Sequence, residues 1–154
     1  MKLTVKKVKF SSRDRGIWSA KEQVGEVLFP SDEEVATLVA RGERYKASKA
    51  DLRLKKGDEE VLSAVEAKGV WCSLTTEYMG HKYVMDYTDR SGWIVRSGVA
   101  EVGRLSFGHL AFKEDVPLLL QLYLLWYILE HQPDIDSRKR AVKVARCCGL
   151  YRFG

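Results

Sequence analysis

One histidine and two neighbouring acids come nearest to an acid–base site in this sequence. His109 lies shortly before Glu114 and Asp115, and an imidazole held beside a carboxylate can transfer protons near neutral pH. The two acids also precede Val116-Pro117, and acids with a proline are typical of a helix start. We therefore assign them to the helix and predict no catalytic residues. An enzyme using the His109/Glu114 region is the third functional alternative.

The sequence carries no motif for a nucleotide or a metal. Neither G-x-G-x-x-G nor G-x-x-x-x-G-K-[ST] occurs, and C-x-x-C and H-E-x-x-H are absent. Cys147 and Cys148 are adjacent and diverge on a helix, which favours packing over chemistry. We predict no cofactor and no metal site. Three cysteines form a poor disulfide framework, and the first ten residues do not resemble a signal peptide, so we expect a cytoplasmic protein.

Positive charge is concentrated near the C-terminus. Between Pro133 and Gly154 there are six basic and two acidic residues, which accounts for +4 of the net charge of +5. A local basic patch predicts an acidic partner or a solvated helix face. The candidate residues for binding an anionic partner are Arg138, Lys139, Arg140, Lys143 and Arg146.

An apolar run over 116–129 dominates the C-terminal third. Its only strongly polar side chain is Gln121, and a helix that is apolar on all sides must be enclosed by protein or lipid. About 21 Å of helix, at 1.5 Å per residue, is too short for a bilayer core of about 30 Å. We predict a buried helix over 116–130 inside a single domain of residues 1–154.

Residues 1–112 are predicted to form mainly short strands, eight to ten in number. Apolar and aromatic residues alternate with polar ones, and glycine-containing turns separate the runs. A phase slip between Val5 and Val8 predicts a bulge in the first strand. The segment 32–41 fits either a short helix begun by a capping box at Ser31 or a strand. We assign 59–68 to a strand.

A second, amphipathic basic helix is expected over 136–148, begun by Asp134 or Asp136 and ended by Gly149. The sequence thus predicts an α+β, β-rich fold. Its elements are an antiparallel barrel or strongly curled sheet around one hydrophobic C-terminal helix, and a basic helix packed outside.

The chain resembles the tubby C-terminal, phospholipid scramblase and LURP-one-related barrel superfamily. The residues that carry the likeness are 83–95 (YVMDYTDRSGWIV), 101–106 (EVGRLS), and the acid pair Glu114-Asp115 leading into 118–129. The resemblance implies a closed antiparallel barrel of twelve strands around one hydrophobic helix. It also implies a non-enzymatic function that engages membrane phospholipid or a protein partner.

We therefore expect a non-enzymatic binding or adaptor domain for an anionic phospholipid surface or an acidic protein partner, peripheral to the membrane in the first case. A homodimer is a further possibility. The alternative is a nucleic-acid-binding protein. Helix 117–130, the turn 131–133 and helix 136–148 form a helix–turn–helix outline, although Asn and Gln for base readout are missing from the second helix.

Overall fold

A computed structural model describes residues 2–8, 13–30, 34–67, 73–88 and 90–131 of the chain. In these residues twelve antiparallel strands follow one another around a closed barrel, and one helix comes last. Each strand pairs with its sequence neighbours, and β1 closes the barrel by pairing with β12. Closure satisfies the backbone groups that an open sheet would leave at its edges.

The strands are short, and all connections within the barrel are hairpins. Their bounds are β1 Lys2–Lys7, β2 Arg15–Ser19, β3 Glu22–Leu28, β4 Val35–Ala40, β5 Glu43–Ser48, β6 Arg53–Lys56, β7 Glu59–Glu66, β8 Ser73–Tyr78, β9 His81–Thr88, β10 Gly92–Ser97, β11 Ala100–Leu105 and β12 His109–Phe112. The helix α1 spans Leu118–Glu130.

The barrel has two different ends. At one end, which we call the turn end, two-residue turns join β2 to β3, β4 to β5, β6 to β7, β8 to β9 and β10 to β11. Arg41-Gly42 and Met79-Gly80 have positive φ at both positions, the type I′ geometry that suits the twist of a hairpin. At the other end, the exit end, α1 finishes after running through the barrel from the turn end.

Helix α1 fills the barrel. All its residues from Leu119 to Leu129 are buried, so the prediction of an enclosed hydrophobic helix is confirmed. The start differs from expectation, because the helix begins at Leu118 with Pro117 as an extended N-cap and has no acid in its first turn. Glu114 and Asp115 lie in the preceding turn, where the chain reverses from β12 into the helix.

Two glycines allow unusually close packing. A Cβ at Gly25 would lie 2.9 Å from the Val39 carbonyl oxygen and 3.0 Å from Leu122 Cδ1, so α1 approaches β3 over bare backbone. On β11, a Cβ at Gly103 would overlap the ring of Phe112. Both positions face inward, where a missing side chain makes room for a large neighbour.

Most of the predicted strands are present, and the count is higher than expected. A single half-buried strand was expected over 45–54, but this segment divides into β5 and β6 at a turn where Leu52 has φ of 57°. The strand β12 was not predicted. The segment 59–68 contains the expected strand, β7. The helical alternative for 32–41 is wrong, because Val35–Ala40 pairs with both neighbours as β4.

Some predictions fall outside the described residues. The basic helix predicted over 136–148 is one of them. Among the described residues, α1 is the single helix. The predicted bulge does not lie within β1, whose pairing has no register shift and ends at Lys7. Register shifts occur instead beside Ile17/Trp18, Leu54/Lys55 and Val95/Arg96.

Candidate functional site

The end of α1 is held at the exit end by ion pairs. Arg13 Nη2 lies 3.5 Å and Lys49 Nζ 4.0 Å from the same oxygen of Glu130, whose side chain is only 15% exposed. A carboxylate in the last turn of a helix opposes the helix dipole. The two cations offset that repulsion, and the Arg13 guanidinium also lies 4.2 Å from the centroid of the Phe29 ring.

A second contact fixes the residue that follows the helix. His131 Nε2 lies 3.3 Å from Glu66 Oε1 at the end of β7, and its ring lies 4.3 Å from that of Tyr127. The Tyr127 hydroxyl donates to the same Glu66 oxygen at 2.9 Å. His131, the last described residue, is therefore fixed at a defined point on the exit-end rim.

The basic residues predicted to bind an anionic partner, Arg138, Lys139, Arg140, Lys143 and Arg146, lie outside the described residues. They follow His131 by seven to fifteen positions. The last residue that the structure describes before them, His131, lies at the exit end. All three cysteines (Cys72, Cys147 and Cys148) also lie outside the described residues.

The hypothetical acid–base cluster does not assemble. His109 is exposed at the exit-end start of β12, whereas Glu114 and Asp115 follow the turn-end finish of that strand. Strand rise of about 3.3 Å per residue separates them by more than about 10 Å. No group of three or more potential metal-binding side chains occurs in the described part of the chain.

The buried tyrosines are structural hydrogen-bond donors. Tyr123 donates to the Leu52 carbonyl oxygen at 2.6 Å, and burial raises its pKa. Burial, then the hydrogen bond to Glu43, raises the pKa of Tyr45 to about 12. A hydroxyl whose pKa is raised is a weak acid, so neither group is suited to losing its proton near neutral pH.

The outer wall of β1, β2 and β3 carries a groove that the sequence analysis did not identify. Its floor is Gly16, and a cavity of about 310 Å³ lies above it, lined by Lys6, Lys7, Val8, Trp18, Gln23 and Glu26. We call this the Gly16 groove. Lys6 Nζ lies 5.3 Å from the centroid of the Trp18 ring. The sequence feature that could have indicated this groove is Trp18, which lies on the polar face of a strand two residues after a glycine.

No family model matches the sequence, and no curated protein or solved structure shows significant similarity to it. Within the described residues, the helix present is not long and apolar enough to span a bilayer.

Proposed function

We propose that this chain is a non-catalytic binding domain for an anionic phospholipid surface. The observation that carries the proposal is the way α1 ends. Glu130 and His131 are held on the barrel rim by Arg13, Lys49 and Glu66, and the next 23 residues carry +4 of the net charge. The basic segment is thus tethered at a defined point, and cations near an anionic membrane each contribute about 1 kcal/mol.

Two features support a binding domain over an enzyme. The barrel interior of the described residues is occupied by α1, whose side chains from Leu119 to Leu129 are buried. The ligand-accessible surface is therefore the outer wall and the rims. The twelve-stranded barrel around a hydrophobic helix is also the architecture that the resemblance to the tubby and scramblase superfamily implies.

The proposed membrane contact includes the helix predicted over 136–148. Arg138, Lys139, Arg140, Lys143 and Arg146 on one helix would present a dense positive surface at the exit end. An acidic protein partner would be recognised by the same charges.

Vesicle binding tests the function. The full chain should co-sediment with vesicles of phosphatidylcholine and phosphatidylserine, but not with pure phosphatidylcholine. Changing Arg138, Lys139 and Arg140 together to Ala should weaken binding by at least about tenfold, since each cation contributes about 1 kcal/mol.

The matched control removes the same charge elsewhere. Lys21, Lys82 and Lys113 are exposed at the turn end, and their joint change to Ala should weaken binding much less. Retention on DNA with a steep salt dependence, together with indifference to vesicles, would overturn the proposal in favour of nucleic-acid binding.

A further inference from the structure

We propose that the basic C-terminal segment, residues 132–154, docks on the outer wall of the barrel over β7, β8 and β9. The occupant of this wall is thus the part of the same chain that follows the described residues. The inference goes beyond the proposed function, because the docking does not depend on what the cations of the segment bind. It assigns the segment to one face of the barrel.

An uncharged row of side chains crosses these three strands. Val65 on β7 pairs with Thr75 on β8, and Thr75 pairs with Val84 on β9. Along each strand these residues alternate with buried ones, so all three face outward. We call this row the valine patch.

Val65 is the most unusual member of the valine patch. It is 70% exposed, and among the described residues it is the only exposed large apolar side chain within a strand. The other three follow a strand or lie in a turn: Val8, Met79 and Val99. Covering an exposed valine removes apolar surface from water, so the patch favours a partner with an apolar face of its own.

The position of His131 brings the segment to the valine patch. His131 Nε2 lies 3.3 Å from Glu66 Oε1, and Glu66 directly follows Val65. Successive residues of a strand point to opposite faces, so Glu66 faces α1 while Val65 lies outside the same rim. Residues 132–135 span up to about 13 Å, at about 3.3 Å per residue. That length is enough to carry the chain over the end of β7.

The sequence of the segment supplies a matching apolar face. Small apolar residues of the predicted helix over 136–148 recur at i, i+3, i+4 and i+7, the spacing of a single helix stripe: Ala141, Val144, Ala145 and Cys148. Lys139, Lys143 and Arg146 fall on the opposite side of the same helix. Docking through the small residues therefore directs these three cations away from the barrel.

The charges beside the valine patch suit a basic segment. The outward positions of β8 and β9 include two carboxylates, Glu77 and Asp86, and one ammonium group, Lys82. Glu77 forms no ion pair within the part of the chain that the structure describes. In the predicted helix Arg138 and Arg140 flank the apolar stripe on its two sides, where acids at the edges of the patch attract them.

Other grooves of the described wall suit the segment less well. The Gly16 groove contains Lys6 and Lys7, and the groove of about 440 Å³ on β11 and β12 contains three cations. Like charges on the segment would be repelled there. The groove of about 530 Å³ on β3 and β4 contains Glu22 and Glu26, but its valines are already partly covered.

Amine cross-linking of the full chain, read by mass spectrometry, tests the docking. Lys82 borders the valine patch, whereas Lys6 is equally exposed on β1. Lys139 and Lys143 should cross-link to Lys82 in clear preference to Lys6, and equal yields at the two sites would overturn the docking. In a mixture of isotopically light and heavy chains, links between a light and a heavy chain would show that the segment docks on a second copy, and would also overturn the proposal.

Limited proteolysis of a variant tests the valine patch itself. Trypsin should cleave the segment after Lys139 or Lys143 about fivefold faster in Val65→Arg than in the wild type, because cleavage follows the population of undocked segment. Val39→Arg is the matched control at an outward-facing valine of β4, and it should leave the cleavage rate unchanged. Circular dichroism should show a folded barrel in both variants. An unchanged rate in Val65→Arg, or equal acceleration in both variants, would overturn the docking.

The docking and the proposed function fail separately. Cross-links to Lys82 in a chain that does not bind anionic vesicles would support the docking and overturn the proposed function. Vesicle binding without any preference for Lys82 would overturn the docking and spare the proposed function.

Discussion

The Tyr127 hydroxyl on α1 donates a hydrogen bond of 2.9 Å to Glu66 at the end of β7, across 61 residues of sequence. This contact joins the buried helix to the barrel rim close to His131, the last described residue. The same carboxylate oxygen lies 3.3 Å from His131 Nε2. The half-exposed Glu66 side chain therefore contacts both Tyr127 and His131, which lie about one helical turn apart at the end of α1.

Tyr127→Phe should reduce the free energy of unfolding by about 1 kcal/mol. A hydrogen bond to a charged acceptor contributes more than a neutral one, but the exposure of Glu66 lessens the effect. Urea unfolding followed by circular dichroism measures the change. Tyr83→Phe is the control, since the Tyr83 hydroxyl has no hydrogen bond to another described residue. An equal loss in both variants would show that the Glu66 contact contributes nothing.

Gly25→Ala should destabilise the protein by about 1 to 3 kcal/mol, the usual cost of overpacking. The added Cβ would meet backbone oxygen at 2.9 Å and the Leu122 side chain at 3.0 Å, and the backbone cannot move without disturbing β4. Gly108→Ala, where a Cβ has no neighbour within 4 Å, should change stability by less than about 0.5 kcal/mol. The denaturant concentrations at the unfolding midpoints of the two variants, compared with that of the wild type, measure the difference in stability.

Tyr45 should titrate well above an ordinary tyrosine. Burial and the Glu43 hydrogen bond raise its pKa to about 12 from 10.0, so the folded state holds the proton more tightly than the unfolded state. The resulting stabilisation is present below pH 10 and is lost as the pH rises through about 12.

Ultraviolet absorbance of ionised tyrosine, compared between wild type and Tyr45→Phe, should reveal a group that ionises near pH 12. Glu43→Gln removes a contributing cause and should move that ionisation towards 10. A difference spectrum that already titrates at pH 10 would contradict the assignment.

Met79→Asn should stabilise the chain by about 0.5 to 1 kcal/mol, because asparagine tolerates positive φ better than a long side chain does. Met79 has φ of 52° and is 72% exposed, so its side chain contributes little packing. Val99→Asn is the matched control at another exposed turn position, where φ is not positive. Thermal unfolding of both variants checks the prediction, and equal shifts would show that backbone conformation is not the cause.

The elements that were predicted well are those with strong local patterns. The apolar run over 116–130 indicated an enclosed helix whatever surrounds it, and the alternating runs before residue 112 indicated short strands separated by glycine-containing turns. The elements that were missed have weak patterns. β12 has only four residues, and β5 and β6 are separated by a turn at Leu52 that lacks a glycine.

The two candidate sites also differ in how strongly the sequence indicates them. The basic residues from Arg138 to Arg146 are conspicuous because they are neighbours in sequence. The Gly16 groove could not be predicted, because Lys6, Gly16 and Glu26 become neighbours only through the register of three strands. Trp18 and Gln23 come together because of a register shift that leaves no clear trace in the sequence.

The sequence by itself determined a β-rich chain with one enclosed helix and a basic C-terminal segment, since local periodicity and charge are properties of neighbouring residues. Only the tertiary structure decided that twelve strands close into a barrel, that α1 approaches β3 at Gly25, and that Glu66 holds the helix end. These features depend on contacts between residues far apart in sequence. Strand register and side-chain volume on facing elements set such contacts, and neither is visible in a local pattern.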